Sequence, residues 1–151
     1  MEPREFVDLE LKLLHQMFDI QQEIYPMAVL VKDGNRFQVP INYTNTAHKE
    51  IVAQGIKDLV KKSEPDIVVY VAEAWAKIVR DKLDRLDIAA HDPDKYEIVV
   101  VQIEFKTGEK YGAEAQITMY EGKRLLKDWE IVDCNMSMGR FMDFFPAKRL
   151  H

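Results

Sequence analysis

A single cysteine, Cys134, in 151 residues rules out an intrachain disulfide. A free Cys is most often a small buried hydrophobe, here at the end of a strand, and a reducing cytoplasm is the expected setting. Long apolar runs are absent: the longest, Ile67 to Ala72, has six residues, where a bilayer span needs about 20. Met1 to Glu10 holds four acids and one arginine with no apolar stretch, so no signal peptide is expected. Basic excess is also missing. Lys and Arg number 21 against 26 Asp and Glu, a formal charge of −5, which argues against a dedicated nucleic-acid binder. With six glycines and six prolines, no linker, repeat or low-complexity stretch stands out.

Catalytic motifs are scarce as well. The chain has no Gly-x-x-x-x-Gly-Lys phosphate loop, Gly-x-Gly-x-x-Gly turn, His-Glu-x-x-His helix or Gly-x-Ser-x-Gly elbow. Its histidines, His15, His48, His91 and His151, are too scattered for a local zinc site, and no pattern asks for a cofactor.

What is present is enough to fold. Hydrophobic residues make up 47% and charged residues 31%, as in ordinary globular domains. Surface scaling gives roughly 8,000 Å² folded against roughly 26,000 Å² unfolded, so about 69% is buried, and one domain over 1–151 is expected.

Apolar residues at Phe6, Leu9, Leu13, Met17, Ile20 and Ile24 predict a helix from Arg4 to Tyr25, stopped by Pro26. A second line, Val7, Leu11, Leu14 and Phe18, widens the apolar surface beyond one packed face. Either the sheet covers both lines or the helix meets a partner subunit. Met27–Lys32 and Arg36–Ile41 flank Asp33-Gly34-Asn35, a hairpin signal. Pairing centred on Gly34 would set Val31 against Phe37, Val29 against Val39 and Met27 against Ile41, all on one face. Pro40 marks an edge. Ile51, Val52, Ile56, Leu59 and Val60 predict a second helix over Ala47–Lys62, with Gly55 permitting close approach to a strand.

Asp66–Ala74 is apolar on both faces up to Glu73, as a central strand would be. Helical spacing of Trp75, Ile78, Val79, Leu83 and Leu86 predicts a helix from about 76 to 87. Tyr96–Lys106 and Tyr111–Tyr120 form a second hairpin around Thr107-Gly108-Glu109. Its inner face is Val99, Val101, Ile103 and Phe105 with Tyr111, Ala113, Ala115, Ile117 and Met119. Gln102, Glu104, Lys106, Glu114, Gln116 and Thr118 are left on a solvated face. A last strand, Leu125–Asp133, turns Leu125, Trp129 and Ile131 inward. The order predicts an α+β fold with a mostly antiparallel sheet of about six strands and helices packed on one face. It is loosely similar to roadblock and profilin-like domains in layout, which implies no function.

Three constellations carry possible chemistry. Pro65-Asp66 followed by Glu104-Phe105-Lys106 resembles the Pro-Asp…Glu-x-Lys signature of restriction-type nucleases. The resemblance implies that Asp66 and Glu104 hold Mg²⁺ while Lys106 polarises the attacking water. Both carboxylates can share an ion only if the strand from Asp66 adjoins Tyr96–Lys106 in a suitable register. Pro93-Asp94 is nearer in sequence, but an unbroken strand would put Asp94 about 33 Å from Glu104. A second constellation, Tyr70, Glu73 and Trp75, is a candidate small-ligand site between helix and sheet; the plainer reading puts Glu73 at the strand end, in water or paired with Lys77 or Arg80. The third is the tail, 135–145, where Met136, Met138, Phe141, Met142, Phe144 and Phe145 are too apolar for a frayed end. Such a tail docks on its own core or, with the first helix, buries surface in a homodimer. Missing motifs and surplus apolar surface together favour a non-catalytic cytoplasmic interaction module that self-associates, with no membrane partner and nucleic acid not expected. A Mg²⁺-dependent nuclease and a small-ligand binder are the alternatives.

Overall fold

A computed structural model describes residues 1–42, 44–77, 95–132 and 144–145. Helix α1 (Pro3–Gln21) is followed by strands β1 (Met27–Lys32) and β2 (Asn35–Pro40), then helix α2 (Thr46–Ser63). The remaining strands are β3 (Ile67–Lys77), β4 (Lys95–Phe105), β5 (Lys110–Tyr120), β6 (Lys123–Leu126) and β7 (Glu130–Val132). All pairings are antiparallel, in the order β2-β1-β3-β4-β5-β6, with β7 also on β5. No helix among the described residues is long and apolar enough to cross a membrane.

The α+β class and the antiparallel sheet are as the sequence predicts. The placement of the helices differs. Among the four central strands every pairing joins odd residues to odd and even to even, so residue parity names the face. Val7, Leu11, Leu14 and Phe18 of α1 pack with Val29, Val69, Val71, Val99 and Val101 on the odd face. Ala53, Ile56 and Val60 of α2 pack with Ala28, Leu30, Val68, Tyr70 and Val100 on the even face. The helices therefore cover opposite faces rather than one. The reason lies in β3: Val68, Val69 and Val71 are each 0% exposed, and a strand apolar on both sides needs a cover on both. Burying each valine contributes about 1.5–3 kcal/mol.

Within α1 the two apolar lines exchange roles. The second line is the core, whereas Leu9, Leu13 and Ile20 of the first are 55%, 39% and 83% exposed. The helix also stops before Pro26: Gln22 turns left-handed at φ 66° and its N–H closes on the Phe18 carbonyl. Helix α2 starts at Asn45, whose side chain accepts the His48 N–H at 2.8 Å. Nothing lies within 4 Å of the place a Cβ would take on Gly55, so this glycine does not approach a strand.

The first hairpin is one residue tighter than predicted. Asp33 and Gly34, at φ 51° and 80°, form a two-residue turn that pairs Lys32 with Asn35, Leu30 with Phe37 and Ala28 with Val39. That slip sends Val39 and Ile41 to the even-face core and turns Arg36 and Gln38 to the α1 side. The second hairpin has the predicted parity, with Val99 opposite Ala115 and Ile103 opposite Tyr111.

Two more expectations change. The last strand is two short strands, β6 and β7; Leu125 and Ile131 are 37% and 44% exposed, while Leu126 is buried. Trp129 does turn inward, its Nε1 donating to the Leu11 carbonyl at 2.9 Å. Strand β3 continues to Lys77, so 76 and 77 are extended rather than helical. The rest of the helix predicted over 76–87, the Pro93-Asp94 pair and Cys134 lie outside the described residues.

Candidate functional site

The β3–β4 ladder decides the nuclease-like constellation. The strands adjoin, with Ile67 opposite Phe105 and Val68 opposite Glu104. Lys106 donates its backbone N–H to the Asp66 carbonyl at 2.9 Å, so Asp66, Glu104 and Lys106 share the even face at one end of the ladder. Their side chains are engaged in different ways. Lys106 Nζ lies 2.6 Å from Asp66 Oδ1, and the Asp33 N–H donates to Asp66 Oδ2 at 3.0 Å. The Lys106 ammonium, then that N–H, hold the Asp66 carboxyl below the usual range, and Asp66 in turn raises the lysine.

Glu104, on the face that strand alternation assigns to solvent, is 1% exposed. Its Oε1 accepts the Phe144 N–H at 3.0 Å. Gln102 and Glu114, from the same predicted wet face, are 0% and 7% exposed. The even face is not open to water: α2 covers part of it, and Phe144, 2% exposed, packs onto its core with Phe145 and holds Glu104 by its N–H. Alternation along a strand names the face but not what comes down on it. Neither amide atom of Gln102 has a hydrogen-bond partner among the described residues.

Beside Asp66 and Lys106 lies a cleft of about 530 Å³ lined by Lys32, Asp33, Lys61, Glu64 and Phe145 among others. Its three lysines face three carboxylates, so no charge of one sign dominates it. Of the two predicted carboxylate ligands, Asp66 lines this cleft tied to Lys106, whereas Glu104 is buried and bound to the Phe144 N–H. Among the described residues no group of three or more His, Cys, Asp or Glu is placed to hold a metal ion.

Tyr70, Glu73 and Trp75 do not converge. Parity sends Tyr70 into the even-face core, where it is 8% exposed, and sends Glu73 and Trp75 to the odd face. Trp75 is 42% exposed, with Lys95 Nζ 4.2 Å from its ring centroid. Glu73 is indeed paired, but with Arg124. Arg124 Nη2 donates to Glu73 Oε1 at 2.6 Å and to Glu97 Oε2 at 3.0 Å. Its Nη1 donates to the Gln22 carbonyl at 2.7 Å, and the Ile24 N–H donates to Glu73 Oε2 at 2.7 Å. This is a clamp joining the exit of α1 to β3, β4 and β6. The hydrogen bond that Arg124 donates to Glu73 is the main cause that raises the guanidinium above its ordinary pKa.

A second clamp, also unpredicted, is bidentate. Arg36 holds Glu10 at 2.6 and 2.7 Å, and Glu10 is 3% exposed. Neither clamp leaves a local sequence signal, because the partners stand 26 to 102 residues apart. Of the tail residues read as an interface, Phe144 and Phe145 lie against this chain's own core, while Met138, Phe141 and Met142 lie outside the described residues.

A groove of about 640 Å³ runs from the C-terminal half of α1 to the β2 edge. Met17, Ile24, Tyr25, Pro26, Met27 and Pro40 supply its apolar lining. No family model, curated protein or solved structure matches this chain.

Proposed function

We propose that this chain is a non-catalytic interaction module that self-associates. The observation that carries the reading is the outer side of α1. Leu9, Leu13 and Ile20 project from the helix directly away from the core it already covers, at 55%, 39% and 83% exposure. Scattered single apolar residues are ordinary on a surface, but a stripe three turns long beside an apolar groove marks an interaction face. Among the described residues, three acids that a reaction centre could use are engaged in tying elements together: Glu10 to Arg36, Glu73 to Arg124, Asp66 to Lys106. The lone cysteine suits a cytoplasmic setting. Sedimentation across a concentration series tests the reading. The expected result is a dimer in the micromolar range; a monomer at several hundred micromolar would refute it.

The β3–β4 register favours a second reading, a Mg²⁺-dependent nuclease using Asp66, Glu104 and Lys106, because it brings all three to one face. Two features weigh against it. Asp66 is neutralised by Lys106, and Glu104 has given an oxygen to the Phe144 N–H. The acidic chain also has to approach a polyanion. Calorimetric titration with Mn²⁺ and Mg²⁺, with duplex DNA incubated alongside, separates the two. Binding lost in Glu104→Gln together with cleavage of the duplex would favour the nuclease; no binding and intact DNA would end it.

A further inference from the structure

Building on the self-association reading, we infer that the outer face of α1 packs against the same face of a second copy, the two helices antiparallel across a two-fold axis. The first argument is area. At 100° and 1.5 Å per residue, Leu9, Leu13 and Ile20 fall within about 40° of one another over roughly 16 Å. With Tyr25, which is 66% exposed at the end of the same groove, they leave on the order of 500 Å² of side-chain surface, at the upper end of a monomer's largest patch. Two such faces, wholly buried against each other, come to roughly 1,000 Å², the least expected of a biological interface.

The second argument is charge, and it selects the direction. Glu5, Lys12 and Asp19 stand seven residues apart, so they run as one row along the flank of the stripe, alternating acid, base, acid. A parallel pair would turn this row toward the partner's opposite flank, which offers it no counter-charge because Glu10, the acid there, is held by Arg36. An antiparallel pair brings the same flanks together in reverse order. It can therefore set Lys12 beside the partner's Asp19 twice. That register places Leu13 between the levels of the partner's Met17 and the partner's Ile20. Asp19 is available for it: its side chain is 53% exposed, at 3.3 Å from His15. Lys12 makes no ion pair among the described residues.

Sedimentation of the full chain and four variants tests the arrangement, with thermal melts to confirm folding. All the substituted side chains point outward, so the fold is expected to persist. Ile20→Glu should weaken the dimer at least tenfold. Lys12→Glu and Asp19→Lys should each weaken it several-fold, and the double reversal should restore it. A wild-type dimer indifferent to Ile20→Glu would overturn this interface and leave self-association standing. Failure of the double reversal to restore affinity would overturn the antiparallel arrangement. A wild-type monomer at several hundred micromolar would remove both proposals.

Discussion

Arg124 makes contacts on three separate segments, and removing it breaks all of them at once. Its side chain and that of Glu73 are 23% and 22% exposed, between the nearly worthless surface pair and the costly buried one. Arg124→Met is expected to cost about 2 kcal/mol in urea melts, and a double-mutant cycle with Glu73→Gln to show coupling of about 1 kcal/mol. Gln102 works in the opposite direction. A buried amide without partners costs about 1–3 kcal/mol, so Gln102→Met, similar in shape and apolar, should raise the melting midpoint. A fall would mean that the amide is satisfied after all. Asp66 sets a pH dependence. Its folded pKa is lowered, so the stability it contributes is present above the ordinary aspartate value near 4 and drains away as pH falls through the lower folded value. Lys106, raised, contributes below about 10.4 and loses that as pH rises past its folded value. The stability gap between wild type and Asp66→Asn should thus be steady from pH 5 to 9 and close at both extremes.

At the scale of elements, two glycines that look alike in sequence have opposite prospects. Gly34 sits at φ 80° in the hairpin turn, and a Cβ there would meet nothing within 4 Å. The cost of Gly34→Ala is then purely that of a left-handed backbone, about 1–2 kcal/mol. Gly55 also has open space around it but lies inside α2 with no positive φ. Gly55→Ala should therefore stabilise by about 0.5–1 kcal/mol. Chemical denaturation of the two variants checks both signs. The same turn explains the slip in the first hairpin. A loop of two residues and one of three leave the same apolar residues in β2 but send them to opposite faces. Nothing in Arg36–Ile41 alone chooses between them. Pro40 fits the result, since a residue lacking an N–H belongs on an edge strand and β2 is that edge.

For the whole molecule, self-association predicts that the melting temperature rises with protein concentration, because a second copy that binds only the folded form stabilises it by mass action. A midpoint constant over a hundredfold range of concentration would count against any dimer. The apolar surplus that motivates this prediction was legible in α1 from spacing alone, since two lines of large side chains exceed what one sheet face covers. Which line would be left outside was not, because both have the same helical period.

The first two helices, the presence of two hairpins, the antiparallel sheet and the apolar character of β3 on both sides follow from periodicity, turn residues and apolar runs. All of these are properties of neighbours in the chain. The tertiary structure alone decided that the helices take opposite faces, that Glu104 is sealed beneath Phe144, that Tyr70 is parted from Glu73, and that Arg124 and Arg36 are the cations that hold acidic partners. These depend on which distant segments meet. A strand's alternation states where each side chain points, and only packing determines whether water or another part of the chain lies there.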